Sequence, residues 1–512
     1  MSEDQPFDVI VVGAGNAALC AAISAKEQGA ATVLVLEKAP IDERGGNSLF
    51  TAGGFRFIHD GLDDLRSDIL DDLSEAEASQ IVLPALAKED YLDDLRRVTE
   101  GQTDDVLSAL LVGRSRDAMR WMRLNGVRFL PMFGRQSYKI EGKHHFYGGV
   151  NIEAVGGGWG LVDQLIKQAE RAGIEIRYAT AMRRLLQDKS GAVTGVHVMG
   201  PDGYADILAK AVVLACGGFE ANPEMRVRYY GAGWESCRVR GTRYNTGDGL
   251  RAALEIDAQA FGGWSTCHAV QWDISAPPFG DRVVLDNFQK HSYPIGIIVN
   301  LKGERFVDEG ADYRNHTYAK YGREVMKQPQ RTAVQIFDAK TIDLVRDEYR
   351  IRQVTKAQAP TIGELAAKLE IDVNALSRTV REFNAACTPG PGAHGAPHPK
   401  YNPAILDGLS TSGITPPKSN WALPIDRPPY TGFVVTCGIT FSFGGLRINE
   451  HGEVQNTSDR TIPGLYAAGE IVGGIFYENY LGGAGLMSGG VFGRIAGSSA
   501  ARHANCAQRK PS

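Results

Sequence analysis

Phe7-Asp-Val-Ile-Val-Val-Gly13-Ala-Gly15-Asn-Ala-Ala18 decides the fold. Its first six residues are mostly β-branched and apolar and predict a strand, whereas Leu19 to Lys26 predicts a helix. Gly13 permits the tight turn between them, Gly15 lets a pyrophosphate approach the backbone, and Ala18 is small enough for helix to pack on strand. Asn16 and Ala17 open the helix, whose N terminus offers unpaired N–H groups and the positive end of its dipole to a phosphate. A second apolar run, Ala31 to Leu36, ends in Glu37, placed to accept hydrogen bonds from the ribose hydroxyls, with Lys38 beside it. Strand, glycine turn, helix, strand and acid together predict an α/β dinucleotide-binding domain.

The chain of 512 residues exceeds what one hydrophobic core supports, so two domains are expected. A net charge of −5, with charges spread along the chain, leaves no basic stripe for nucleic acid. The acidic Met1 to Pro6 runs straight into the first strand without the pattern of a signal peptide, and no run approaches about 20 apolar residues, so the expected setting is cytoplasmic. The seven cysteines are scattered with no Cys-x-x-Cys pair, and neither zinc nor an iron–sulfur cluster is expected.

Gly45-Gly46-Asn47-Ser48, followed by Gly53-Gly54-Phe55-Arg56, resembles the second glycine segment of the fumarate reductase and succinate dehydrogenase flavoprotein superfamily. The resemblance implies FAD, with this segment along the diphosphate and flavin edge and with Asn47 and Ser48 hydrogen-bonded to phosphate and flavin. Relatives with covalent FAD have a histidine where this chain has Asn47, so the implied binding is non-covalent. Ala211 to Phe219, carrying Gly217 and Gly218, and Ile462 to Glu470, carrying Gly469 and Glu470, resemble two further FAD-facing segments. Thr246-Gly-Asp248-Gly, opening a helix at Leu250, fits the same domain. Gly482 to Gly490, with Gly485 and Leu486, resembles the start of the closing helix, whose dipole would face the flavin pyrimidine; a glycine-rich packing site is the alternative. The implied fold is a Rossmann-like FAD-binding domain of glutathione-reductase type, residues 1–266 and 421–512, with an inserted α+β capping domain, residues 267–420. Within the cap, Val373 to Ala386 predicts a helix and the Pro/Gly/His-rich run from Thr388 to Pro399 an exposed loop, while Asp63 to Glu100 reads as an acidic helical excursion.

Arg314, five residues after Glu309 in Val299 to Arg314, resembles the segment whose arginine is the family's proposed proton donor. Its alternatives are a clamp on a substrate carboxylate or a surface ion pair with Asp308, Glu309 or Asp312. His268 falls where the family places a substrate-contacting histidine, and His291 and Tyr293 stand just before the strand leading to Arg314. Tyr480 and Phe441 replace an arginine and a histidine of the fumarate and succinate enzymes, and Gln289 and Ser292 replace a glutamate and an arginine of their proton relay. Phe288 to Gly322 and Phe476 to Gly497 resemble the tricarballylate dehydrogenase branch, and the tyrosine also resembles ketosteroid dehydrogenases. The implied activity is α,β-dehydrogenation of a small, tricarballylate-like carboxylate or a carbonyl compound by hydride transfer to flavin N5. The alternatives are a reductase of an activated, fumarate- or urocanate-like alkene, a ketosteroid-type dehydrogenase, and a non-redox flavin scaffold. A small-molecule substrate and a separate electron acceptor or donor, such as a quinone, oxygen or a redox protein, are the implied partners.

Overall fold

The computed structural model describes residues 5–388 and 401–507. Nearly all of the Pro/Gly/His-rich run lies outside them.

Strand β1 (Phe7–Val12) is buried from Val9 onward and sits at the centre of the first sheet. It pairs in parallel with β2 (Val33–Leu36) on one side, and β2 in turn pairs in parallel with β3 (Glu175–Arg177). β2 starts two residues later than its apolar run because the Ala31 and Thr32 N–H groups bind Asp8 Oδ2, at 2.7 and 3.1 Å. On its other side β1 pairs in parallel with the end of β6 (Gly203–Leu214). The start of β6 continues an antiparallel meander through β4 (Ala181–Gln187) and β5 (Val193–Gly200). This doubly wound core follows from the apolar runs at residues 9–12 and 33–36, buried on both faces.

The turn after β1 leads into α1 (Asn16–Glu27), which packs along the last helix, α4 (Ala484–Ala507). The helices touch closely because α4 presents glycines at four-residue spacing: a Cβ at Gly493 would lie 2.5 Å from Ala17 O, and one at Gly497 2.0 Å from Ala21 O. Packing thus accounts for the later glycines of the closing segment, and only its start reaches the cleft.

The second sheet is built on β10 (Tyr430–Leu446), which pairs antiparallel with β7 (Ala260–Asp273) and with β9 (Ala333–Phe337). β9 pairs antiparallel with β8 (Ile297–Asn300). β7 runs unbroken across the expected boundary at 266/267, and β10 lies beyond the one at 420/421. A long antiparallel pair lets the chain pass from one unit to the other without a linker. Helix α2 (Arg314–Met326) lies against β7 so closely that a Cβ at Gly322 would come 2.4 Å from the Ala269 backbone. A separate cap core joins Val299, Val334 and Ile336 to Leu376, Val380 and Phe383 of α3 (Val373–Ala386), the helix expected there. The acidic excursion forms helices Leu62–Arg66, Glu75–Ala78 and Lys88–Val98, with a two-residue strand between the last two. Four cysteines, Cys20, Cys237, Cys267 and Cys437, are buried, and no cluster of metal-binding side chains occurs among the described residues.

Candidate active site

One cleft runs between the two sheets, and the sequence-derived nucleotide segments meet along its length: Gly13 to Ala17, Glu37 and Lys38, Gly46 to Ser48, Gly54, Gly217, Asp248, Gly469 and Glu470, and Gly485 with Leu486. Gly53 and Gly218 stand just behind the wall. Gly13, at φ +108°, has Ala215 O 2.5 Å from where its Cβ would be, so no side chain fits. A Cβ on Gly15 would fall 3.3 Å from Ser48 Oγ, which accepts from Asn16 N at 3.0 Å. Asn16 itself ties α1 to the other end of the chain through Leu486 O, at 2.8 Å. Glu37 accepts from the Ala14 and Ala39 N–H groups, at 2.9 and 2.7 Å, and burial raises its pKa. Lys38 pairs with Asp248 at 2.6 Å, so these two brace the rim against each other.

Asn47 departs from expectation in detail. Its Nδ2 donates to Glu220 Oε1 and Thr440 O, at 2.5 and 2.8 Å, and its Oδ1 accepts from Thr242 N at 2.9 Å. Its amide joins the two units rather than being held in reserve for a phosphate, and an amide offers no nucleophile for a covalent flavin link. A shaped backbone cradle, an open helix N terminus and an acid facing the ribose position together fit FAD.

At the far end of the cleft stand His268, His291, Arg314 and Tyr480, brought together from β7, a loop, the first residue of α2 and the segment before α4. Tyr293 does not join them. It opens a one-turn helix, packs on Tyr321 and shares a hydrogen bond with Thr317 Oγ1 at 2.6 Å. The ion-pair alternative for Arg314 also fails: Glu309 binds Arg305, Asp312 binds Arg97, and Asp308 binds Ser419. Arg314 Nε is buried without a partner, and Nη2 reaches the Gln136 amide oxygen at 2.7 Å when that amide is turned toward it.

Tyr480 stacks on His268 with ring centroids 4.5 Å apart and 11° between planes. Its hydroxyl accepts from Gly485 N at 2.8 Å and so caps the N terminus of α4; burial pushes its pKa up to about 12, against the opposing pull of that N–H. β7–β10 register sets His268 opposite Phe441, whose ring packs tilted at 44° against Tyr480 and extends the aromatic wall. Burial holds His268 well below the usual histidine range, with Arg240 adding to the effect, and it does the same to His291 with help from Arg314 and Arg346. Both imidazoles are therefore neutral, and each has a buried Nε2 without a partner.

Several cleft residues carry no sequence signal. Arg240 and Arg135 both grip Asp286, with Arg240 Nε at 2.8 Å, and they hold its carboxyl below the usual range although burial opposes them. Arg346 reaches Glu348 at 3.1 Å and keeps one buried Nη1 unpaired. These arginines come from segments far apart in the chain, so no spacing could have grouped them. Tyr318 was legible: it stands one turn after Arg314 on α2, and its ring meets His268, His291 and the Arg314 guanidinium.

Four guanidiniums line the cleft beside the nucleotide cradle, Arg135 and Arg240 held on Asp286 and Arg314 and Arg346 each keeping a buried N–H without a partner, and together they define an anion-binding cleft. The chain belongs to the FAD binding domain family, whose profile matches residues 8–486. It is similar to a probable fumarate reductase of Shewanella frigidimarina, 29% identical over 503 residues that cover 97% of this chain and 75% of that protein. It is likewise similar to a urocanate reductase of Eggerthella lenta, 28% identical over 517 residues that cover 96% and 74%. Among solved structures, the open conformation of a flavocytochrome c3 fumarate reductase superposes with a TM-score of 0.70 at 27% identity, over 98% of this chain and 79% of that one. The chain is thus an FAD-dependent oxidoreductase of the fumarate reductase and succinate dehydrogenase flavoprotein superfamily. It binds FAD non-covalently and acts on CH–CH bonds. No helix among the described residues is long and apolar enough to cross a membrane.

Proposed function

We propose that the chain reduces the activated double bond of a small alkene carboxylate, and that the substrate is urocanate-like, with a flat group rather than a second carboxylate beyond the alkene. The observation that carries this reading is the asymmetry of the cleft end. One side holds Arg314 and Arg346, each with a buried N–H lacking a partner; the other is an aromatic wall of stacked His268 and Tyr480 with Phe441 tilted against Tyr480, where both histidine and tyrosine are uncharged. An anionic end suits the first side and a ring the second. The names of the similar reductases agree with this direction.

When bound and reduced by a separate redox partner, FAD would supply the hydride for one alkene carbon. Arg346 holds the substrate carboxylate, while Arg314 stands ready to protonate the neighbouring carbon. A guanidinium releases a proton reluctantly, so the negative charge building on that carbon has to draw it. Tyr318, packed against the Arg314 guanidinium and both histidines, fixes the donor's direction. The opposite direction, oxidation of a saturated tricarballylate-like acid, is favoured by one observation, the unpartnered N–H groups on both Arg314 and Arg346, which suit two carboxylates rather than one.

Anaerobic mixing separates the two directions. Chemically reduced holoenzyme should recover its oxidised flavin spectrum with urocanate and less rapidly with fumarate. Bleaching of the oxidised holoenzyme by tricarballylate, with no reoxidation by either alkene, would reverse the assignment. Arg314→Ala should retain FAD and lose about 10²- to 10⁴-fold in turnover, the usual weight of a general acid; full turnover would remove Arg314 from the chemistry.

A further inference from the structure

Behind the glycine turn at 217–218 lies a carboxyl pair that the proposed reaction does not use. Glu220 is fully buried. Its Oε1 accepts from Asn47 Nδ2 at 2.5 Å and from Asn245 Nδ2 at 2.7 Å, while its Oε2 is buried and has no donor. The group facing it is Glu470, which meets it in hydrogen-bonding contact. Glu470 Oε1 accepts from Ser442 N and Oγ, at 2.8 and 3.1 Å, and Oε2 lies 3.5 Å from Asn245 Nδ2.

Two touching carboxyls, one of them fully buried, cannot both be ionised at ordinary pH. Arg226 lies close enough to attract Glu220 but makes no hydrogen bond to either carboxyl, because its donors go to the backbone carbonyls of Glu220, Trp234 and Glu235. The other titratable groups at this spot, Tyr230 and the Cys237 and Cys267 thiols, add no positive charge. An oxygen that faces only another carboxyl is satisfied if it carries the proton and donates it. Glu220 fits that part, because its Oε1 is already a carbonyl-type acceptor for two amides, whereas both donors from Ser442 favour charge on Glu470.

We propose that Glu220 and Glu470 share one proton, Glu220 as the neutral acid donating to Glu470, and that the pair positions Asn47 and Asn245 against the bound FAD. The inference rests on FAD binding and not on the choice of substrate. It also accounts for the glycines of this turn: a Cβ at Gly218 would lie 2.4 Å from Glu470 Oε1 and 2.0 Å from Ser442 Oγ, and one at Gly217 2.3 Å from Asn245 Nδ2. Glu220 is a positioning residue, since it touches the cleft only through its partners. Burial and the neighbouring Glu470 hold its pKa well above the carboxyl norm, which agrees with the geometry.

The test uses the holoenzyme and two readouts other than turnover. Infrared spectra at about pH 8, where an ordinary carboxyl is ionised, should show a protonated-carboxyl C=O stretch that shifts in D₂O and vanishes in Glu220→Gln. Absence of the band from the wild type, or its persistence in that variant, would overturn the shared proton. Glu220→Gln keeps a neutral donor and acceptor, so FAD affinity, read from flavin fluorescence on release, should stay within about threefold. Glu220→Ala leaves Glu470 and two amides without their partner and should weaken FAD about tenfold or more. Loss of FAD in the glutamine variant, or unchanged affinity in the alanine variant, would overturn the positioning role. Should the alanine variant fail to fold, the infrared band and the glutamine variant still decide.

Discussion

Tyr480 joins two structural tasks through one hydroxyl. The oxygen accepts from Gly485 N and the ring stacks on His268, so the side chain fixes both the start of α4 and the aromatic wall of the cleft. Tyr480→Phe keeps the ring and leaves that N–H without its acceptor. The expected result is a stability loss of about 1 kcal/mol, with kcat/KM down about tenfold because the wall shifts. Thermal melts and steady-state kinetics check it, and an unchanged melt would show that the cap contributes nothing. The histidines make a prediction of opposite kind. In the unfolded chain each binds a proton below about pH 6.5, but His268 and His291 are kept neutral in the fold, chiefly by burial. The unfolded state therefore takes up protons that the native state refuses, so this contribution to stability is present above about pH 6.5 and is lost as pH falls. Urea midpoints should decline from about pH 7 to about pH 5, less steeply in His291→Gln; parallel profiles for variant and wild type would exclude His291 as a source.

Glycines along α4 look alike in sequence and do different things. Gly493 faces α1, where a Cβ would lie 2.5 Å from Ala17 O, a backbone atom that can move only by displacing the helix N terminus at the cradle. Gly490 faces Met122, whose flexible Cε is the only atom within 3 Å of the added group. Gly493→Ala should therefore cost about 1–3 kcal/mol and lower flavin content on purification, whereas Gly490→Ala should alter neither measurably. Equal melting temperatures for the two would refute the packing account. The contrast also marks what sequence could reveal. The strand, turn and helix at residues 7–27 were legible because all the relevant contacts are local. For the closing helix the sequence leaves flavin-facing and packing roles open beyond its start, because its partner, α1, is some 470 residues away. Tyr293 departs from expectation for a related reason: proximity to His291 in sequence suggests a shared face, yet Tyr293 opens a one-turn helix and its hydroxyl is taken by Thr317, 24 residues on. Arg135, Arg240 and Arg346 became a group only through the second sheet and the loops around it.

At the scale of the molecule, the cleft is a seam. Gly13, Glu37 and Gly217 reach it from the first sheet, His268 and Phe441 from the second, and β7 and β10 pass between the units without interruption. Asn47 strengthens the seam by bonding Thr440 O of β10 and Thr242 N together. A ligand filling such a cleft binds the folded state alone, so its binding energy adds to the stability of both units. Protein stripped of flavin and then given FAD at about 100 times its Kd should gain about 2.7 kcal/mol. The informative measurement is where the gain falls. Hydrogen exchange should slow in β1 and α1, which a nucleotide domain alone would also show, and in β7 and the first turn of α2 as well, because His268 and Arg314 line the same cleft as the cradle. Protection confined to residues 7–37 would mean that the cap is set independently of the cofactor. Arg314 would then reach its position by the packing of α2 on β7, with no help from the flavin.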